Sequence, residues 1–167
     1  MRPRGQEPLA SSLEGVCPRF VADAMVGKLA RWLRILGADV LYDPSLQDHQ
    51  LLSLARREKR ILLTRDAPLA SRASNPPTLF IKSIDFRRQL VQVVETYRLD
   101  PRQNLFSRCI DCNALLEPAR REEVRGKVPP YVYSTQARFK HCPCCDKYLW
   151  GGTHRHHMQQ TLQSLFP

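Results

Sequence analysis

No stretch of the 167-residue chain approaches the ~20 consecutive apolar residues that a membrane-spanning helix needs, so no membrane partner is expected. No heptad is sustained and no fixed period recurs, which excludes coiled coil, collagen and long solenoid. Acidic residues are scarce beside basic ones, 16 Asp+Glu against 26 Lys+Arg, giving a net charge of +10 and a pI near 9.7. The first 18 residues, MRPRGQEPLASSLEGVCP, lack an apolar segment and carry Glu7 and Glu14. They fit neither a secretory signal nor a transit peptide, and an intracellular chain, cytoplasmic or nuclear, is expected. Against these absences, a hydrophobic content of 43% is enough for a core and argues against wholesale disorder. Twenty of the 26 cations are Arg, whose planar fork suits phosphate, so nucleic acid is the leading partner class. A solvated basic surface is the plain alternative.

Residues 1–18 read as a flexible lead-in. Beyond them, apolar runs alternate with helical periodicity. FVA at 20–22, DVLY at 39–42, ILLT at 61–64 and TLFI at 78–81 read as strands. Between the first two, Met25, Val26, Leu29, Leu33 and Leu36 give a helix one apolar face, and Gly37 ends it. Ser45 and Asp48 have capping-box spacing ahead of a second helix that runs to about Glu58. A third spans roughly Phe86 to Tyr97. This order predicts a three-layer α/β fold with a mostly parallel sheet over residues 19–100. Composition then changes, with two Cys clusters and Pro129-Pro130. The first hundred residues carry 16 cations and 11 anions, the remainder 10 and 5, so the shorter module is the more densely charged. Residues 101–158 read as this second module and 159–167 as a tail.

Ligands of parallel α/β sheets bind beyond the carboxyl ends of the strands. Asp23, Asp43, Asp66 and Asp85 each follow a predicted strand, and Asp48 opens the second helix on the same edge. Clustered carboxylates repel one another unless a cation joins them. Mg²⁺ or Mn²⁺ takes carboxylate oxygen and water, and such ions support phosphodiester cleavage. Each aspartate also has a structural reading: Asp48 in its capping box, Asp43-Pro44 as a turn, Asp85 as a helix cap. Lys28, Arg31 and Arg34, three apart on the first helix, form a cationic stripe suited to a phosphate backbone, or an ordinary solvated face.

Cys109-x-x-Cys112 and Cys142-x-x-Cys145 are separated by 29 residues. Two such knuckles supply the four sulfurs of a tetrahedral zinc site, and Asn113 and Asp146 suit the positive φ that follows each. A redox CxxC would need a strand–CxxC–helix setting and does not explain two pairs. Cys144 leaves 142/144 open beside the favoured 142/145, and Cys17 reads as a free thiol. His141 is a spare ligand, and HRHH at 154–157 is favoured as polar surface or RNA-contacting imidazole over a metal tract.

With these residues in place the chain resembles the Mut-seven C-terminal ribonuclease domain family. The resemblance rests on FVADAMVGKLARWLRILGADVLYDP at 20–44, DHQLLSLARREKRILLTRD at 48–66, SRCIDCNALLE at 107–117 and VPPYVYSTQARFKHCPCCDKYLWGGTH at 128–154. It implies a PIN-like nuclease core with a C-terminal zinc ribbon, and a metal-dependent RNase acting through Mg or Mn. The family's acidic positions fall on Asp23, Asp48 and Asp66; PIN-like enzymes often use a fourth acid, for which Asp85 is the candidate with Asp43 behind it. Lys28, Arg31, Arg34 and Arg65 would grip RNA, expected to be single-stranded. The family's place in larger animal proteins implies association with an exonuclease domain. The rival readings are a non-catalytic RNA-binding module that delivers substrate, and a protein-interaction adaptor.

Overall fold

The computed structural model describes residues 17–72 and 75–167, so the expected lead-in lies outside the described residues except for its last two. Four short strands, β1 (Arg19–Ala22), β2 (Asp39–Tyr42), β3 (Ile61–Thr64) and β4 (Thr78–Phe80), form one parallel sheet in the order β2-β1-β3-β4. Helices α1 (Gly27–Ile35), α2 (Asp48–Arg57), α3 (Ala67–Arg72) and α4 (Phe86–Tyr97) alternate with them. Every residue of β3 is buried, as its unbroken ILLT run requires of a central parallel strand.

Side chains alternate across the sheet, and the two faces take different helices. Val21 and Leu62 pack with Leu51 and Ala55 of α2 and Leu69 of α3. On the opposite face the Phe20 ring meets Tyr97 of α4 edge-on at 5.2 Å, while Trp32 of α1 stacks on Phe86 of α4 at 5.3 Å. The expected three layers are present. Gly27 opens α1 with the Tyr42 ring against its Cα, where even a Cβ would collide.

Two local expectations are corrected. The segment between β3 and β4, expected as a loop, contains α3. Asp66 caps it, its Oδ1 accepting from Leu69 N at 2.7 Å, and Pro68 sits in the first turn where a proline costs no helical hydrogen bond. The box that starts α2 is Gln47 with Gln50, because Asp43 Oδ1 already holds both the backbone N–H and the hydroxyl of Ser45, at 2.9 and 2.6 Å. That Asx turn holds the Asp43 carboxyl below its ordinary range, first through the Ser45 hydroxyl.

The chain divides into two compact units: residues to Leu33 with Ala38–Asp100, and Arg34–Gly37 with Pro101–Pro167. The second contains the antiparallel sheet β5-β6-β7 (Glu117–Ala119, Phe139–Cys142, Lys147–Trp150), two short helices, α5 (Arg121–Val124) and α6 (Pro130–Thr135), and α7 (Thr153–Leu165). Helix α7 takes in the HRHH tract and most of the expected tail.

At the amino edge of the parallel sheet, Arg60 is 3% exposed. Its Nη1 donates to Asp39 Oδ1 at 2.6 Å and to Phe20 O at 3.1 Å, and its Nε to Glu58 Oε2 at 2.8 Å. One guanidinium therefore joins the starts of β1, β2 and β3. The Glu58 carboxyl is held below its ordinary 4.5, first by the Arg60 hydrogen bond. A depressed folded pKa gives stability that is present above the unfolded value and is lost as pH falls through the folded one. Arg60→Met should destabilise the sheet unit by roughly 3 kcal/mol, the lower end for a broken buried pair because water reaches both carboxylates. It should also flatten the loss of stability below pH 4.5 that the depressed Glu58 carboxyl leads one to expect of the parent chain, as read by urea titration across that range. An unchanged midpoint and an unchanged acid limb would show the pairing to be neutral.

Candidate functional site

Two constellations stand out, one of oxygen and one of sulfur. At the carboxyl edge of the parallel sheet, Asp23 follows β1 directly, and its N–H continues the ladder to Leu63 O at 3.0 Å. Thr64, the last residue of the neighbouring β3, is fully buried. Its hydroxyl donates to Asp23 Oδ2 at 2.8 Å and accepts from Asp66 N at 2.9 Å. One hydroxyl thus fixes both aspartates relative to adjacent strands. Asp23 Oδ2 and Asp66 Oδ1 are engaged by the fold. Their other oxygens have no protein partner among the described residues.

The remaining acids are placed differently. Asp48, the first residue of α2, is exposed and lies 3.5 Å from the Arg72 guanidinium. Asp85 caps α4, accepting from Arg87 N at 3.1 Å, which is the structural reading the sequence offered for it. Among the described residues only the four cysteines bring three or more metal-ligating side chains within 4.8 Å of one another.

The cationic stripe is divided. Lys28 and Arg31 are exposed, and the Lys28 ammonium lies 4.0 Å over the Phe86 ring. Arg34 is 3% exposed, and its Nη1 donates to Ile110 O at 3.0 Å and Asp111 O at 2.8 Å. It braces the backbone of the first knuckle rather than facing a phosphate, which corrects its place in the stripe. Arg65, between Thr64 and Asp66, is half-buried, and its Nε is buried without a hydrogen-bond partner among the described residues.

Cys109, Cys112, Cys142 and Cys145 have all four sulfurs within 4.8 Å, with Cys112 and Cys142 at 3.4 Å. Sulfurs about 2.3 Å from one tetrahedral zinc lie about 3.8 Å apart, so the set is of the right size. No described cysteine is in a disulfide. Without a cation these sulfurs crowd one another, and the Cys145 thiol is pushed well up, first by its hydrogen bond with Cys112. A dication relieves that crowding, and the cluster can hold zinc. Cys144 is exposed and outside the quartet, which decides for 142/145.

The knuckles are built as their residues predict. Asn113 and Asp146 take φ of 71° and 51°. Asn113 N donates to Cys109 O at 2.9 Å, and Arg108 Nη1 holds Asn113 O at the same distance. Lys147 Nζ reaches Asp111 Oδ2 at 2.8 Å and so ties one knuckle to the other. His141 is not a ligand; its Nε2 lies 2.8 Å from Asp146 Oδ1. The three histidines of HRHH lie in the first turns of α7 and join no ligand cluster among the described residues. Arg34 and Arg108, which position the first knuckle, were missed as such; Arg108 had the signal of its place beside the motif, and Arg34, far from it in sequence on α1, had none.

The model of the family described as Mut7-C RNAse domain matches residues 18–162, most of the chain. No curated protein and no solved structure gives a match. No helix among the described residues is long and apolar enough to cross a membrane.

Chain purified without chelators should carry one zinc, and Cys112→Ser should lose it together with the hydrogen-exchange protection of residues 105–150. Arg34→Met keeps all four sulfurs, yet should surrender zinc to a competing chelator with an affinity lowered roughly tenfold, as loss of a group bracing the ligands does. Elemental analysis that finds no zinc in the parent chain would sink the assignment.

Proposed function

Because the chain belongs to the Mut7-C RNAse domain family, we propose that it is a metal-dependent ribonuclease that hydrolyses RNA phosphodiester bonds at the carboxyl edge of its parallel sheet. In this reading residues 19–100 are a PIN-like nuclease domain and 101–158 a zinc ribbon that assists RNA binding. The observation that carries it is the Asp23–Thr64–Asp66 network. One buried hydroxyl fixes the Asp23 carboxylate and the Asp66 backbone at the ends of adjacent strands, Leu69 N holds the Asp66 carboxylate, and each carboxylate keeps an oxygen with no protein partner among the described residues.

The donor set suits Mg²⁺ or Mn²⁺, which prefer carboxylate oxygen and water. Asp23 and Asp66 would hold such an ion, with Asp48 and Asp85 as the outlying acids. When bound, a divalent ion supplies an activated water and charge stabilisation for the leaving oxygen. The chain's own groups do the rest. Thr64 orients the Asp23 carboxylate and Leu69 N–H that of Asp66, so that their geometry is set before substrate arrives. Lys28 and Arg31 offset phosphate charge along α1. The Arg65 Nε, buried without an acceptor, is matched by a phosphate oxygen. The zinc ribbon adds positive charge and serves a single-stranded RNA partner, and an exonuclease domain is the associated activity the family suggests.

A second reading has its own observation. Asp48 pairs with Arg72 and Asp85 caps a helix, so two of the four acids already have structural partners. A module that binds RNA without cutting it, and delivers it elsewhere, fits that arrangement.

Asp23→Asn separates the two. It keeps shape while removing a charge, so cleavage should fall by at least about a hundredfold. Binding measured without divalent ions should hold or rise, because one carboxylate repelling phosphate has gone. Activity is compared by omitting and restoring Mg²⁺ or Mn²⁺, since a chelator would also strip the sulfur site. Parent chain that binds RNA tightly and cuts none with either ion supports the delivery module. Undiminished cleavage by both Asp23→Asn and Asp66→Asn places the active site elsewhere.

A further inference from the structure

Three large apolar side chains of the sheet unit are exposed among the described residues: Met25 at 57%, Phe80 at 39% and Ile84 at 82%. Scattered exposed apolar residues need no explanation. These three are not scattered. Met25 lies two residues beyond Asp23 in the turn that leaves β1, Phe80 is the last residue of β4, and Ile84 is in the turn that leaves β4. All belong to the edge that carries Asp23 and Asp66.

The loop that carries Ile84 is held in place. Gln92 of α4 donates to Phe80 O at 2.8 Å and accepts from Lys82 N at 3.2 Å. Gln89, 4% exposed, donates to Ser83 O at 2.8 Å, and Asp85 N reaches Ser83 Oγ at 3.0 Å. Neighbouring Ile81 is fully buried. Two side-chain amides thus fix the backbone ahead of Ile84 and the Ser83 hydroxyl holds the residue after it, in a path that keeps Ile84 facing water. A rigid, outward apolar group binds without an ordering cost.

Cations flank the rim. Lys28 and Arg87 lie over the Phe86 ring at 4.0 and 4.8 Å, and exposed Lys82 stands between Phe80 and Ile84. Positive charge interleaved with apolar side chains matches a strand whose phosphates and base faces are both accessible. A duplex offers the phosphates but hides the base faces within its stack. Resting on the ribonuclease reading above, we infer that Met25, Phe80 and Ile84 form a base-contacting rim that makes this edge select unpaired RNA. Phosphates run toward the carboxylates and cations, and unstacked bases lie on the rim.

The test uses the whole chain and one short labelled oligonucleotide, single-stranded or annealed to its complement, in buffer free of added divalent ions. Met25→Ser with Ile84→Ser should leave the melting temperature unchanged, since both side chains already face water. It should weaken single-strand binding roughly tenfold, the scale of losing base contacts. Duplex binding and the slope of log affinity against log salt should not move, because no phosphate contact is removed. Lys28→Ala, run alongside, should instead reduce that slope by about 0.7. Equal losses on both RNA forms, or none on either, overturn the rim, and the latter assigns the exposed residues to a protein partner. Parent chain that binds neither form overturns the ribonuclease reading itself. Parent chain that binds both equally well overturns the rim alone.

Discussion

Strand β3 has no face to give to water. All four of its residues are buried, so the sheet must be covered on both sides, and the helices between parallel strands provide that cover. Polar groups are then forced to the strand ends. Arg60 immediately precedes β3 and gathers Asp39, Glu58 and the Phe20 carbonyl at the amino edge. Thr64 ends β3 and gathers Asp23 and the Asp66 backbone at the carboxyl edge. The first network is closed at its carboxylates, with Arg60 Nη1 and Nε reaching Asp39 and Glu58 and Arg19 beside both. The second is open, with donors matched and carboxylate oxygens left over. That asymmetry, more than any single aspartate, directs attention to one edge.

The edge also shows how a carboxylate can belong to the fold and to a site together. Asp66 caps α3 through Oδ1 while its second oxygen stays unclaimed among the described residues. Asp23 has the same division through Thr64. Structural and chemical readings of an aspartate are therefore compatible where one oxygen satisfies the fold. They compete at Asp85, which is exposed at a helix mouth and spends a carboxylate oxygen on capping α4.

How much of this was legible depends on which physics a pattern encodes. Burial and chain reversal are written locally, so four strands, α1, α2 and α4 could be read from apolar periodicity and Gly37. The zinc knuckles were legible to the residue, including Asn113 and Asp146 at positive φ, because ligand spacing and backbone conformation are both local. Arg34 was misread for a geometric reason. Steps of three residues fall short of a 3.6-residue turn by about 60° each, so Arg34 lies about 120° around the helix from Lys28. Spacing alone could not say that this direction is buried. Helix α3 is short and contains Pro68, yet Asp66 just ahead of it was a capping signal. Helix α7 has few apolar residues, at Met158, Leu162 and Leu165, too sparse to outweigh the polar HRHH tract.

Donor chemistry keeps the two constellations from exchanging roles. Four cysteine sulfurs fill every position of a tetrahedral zinc ion and leave none for water, the closed arrangement of a structural site. Soft sulfur also draws zinc in preference to the hard ions that carboxylates favour. Arg34, Arg108 and Lys147 hold the knuckle backbone and the Asp111 carboxylate. The proposed hydrolysis therefore calls for oxygen ligands, and the carboxyl edge of β1 and β3 offers carboxylate oxygens with no protein partner among the described residues. On that reading the ribbon contributes a fixed shape and dense positive charge, with the chemistry left to Asp23 and Asp66.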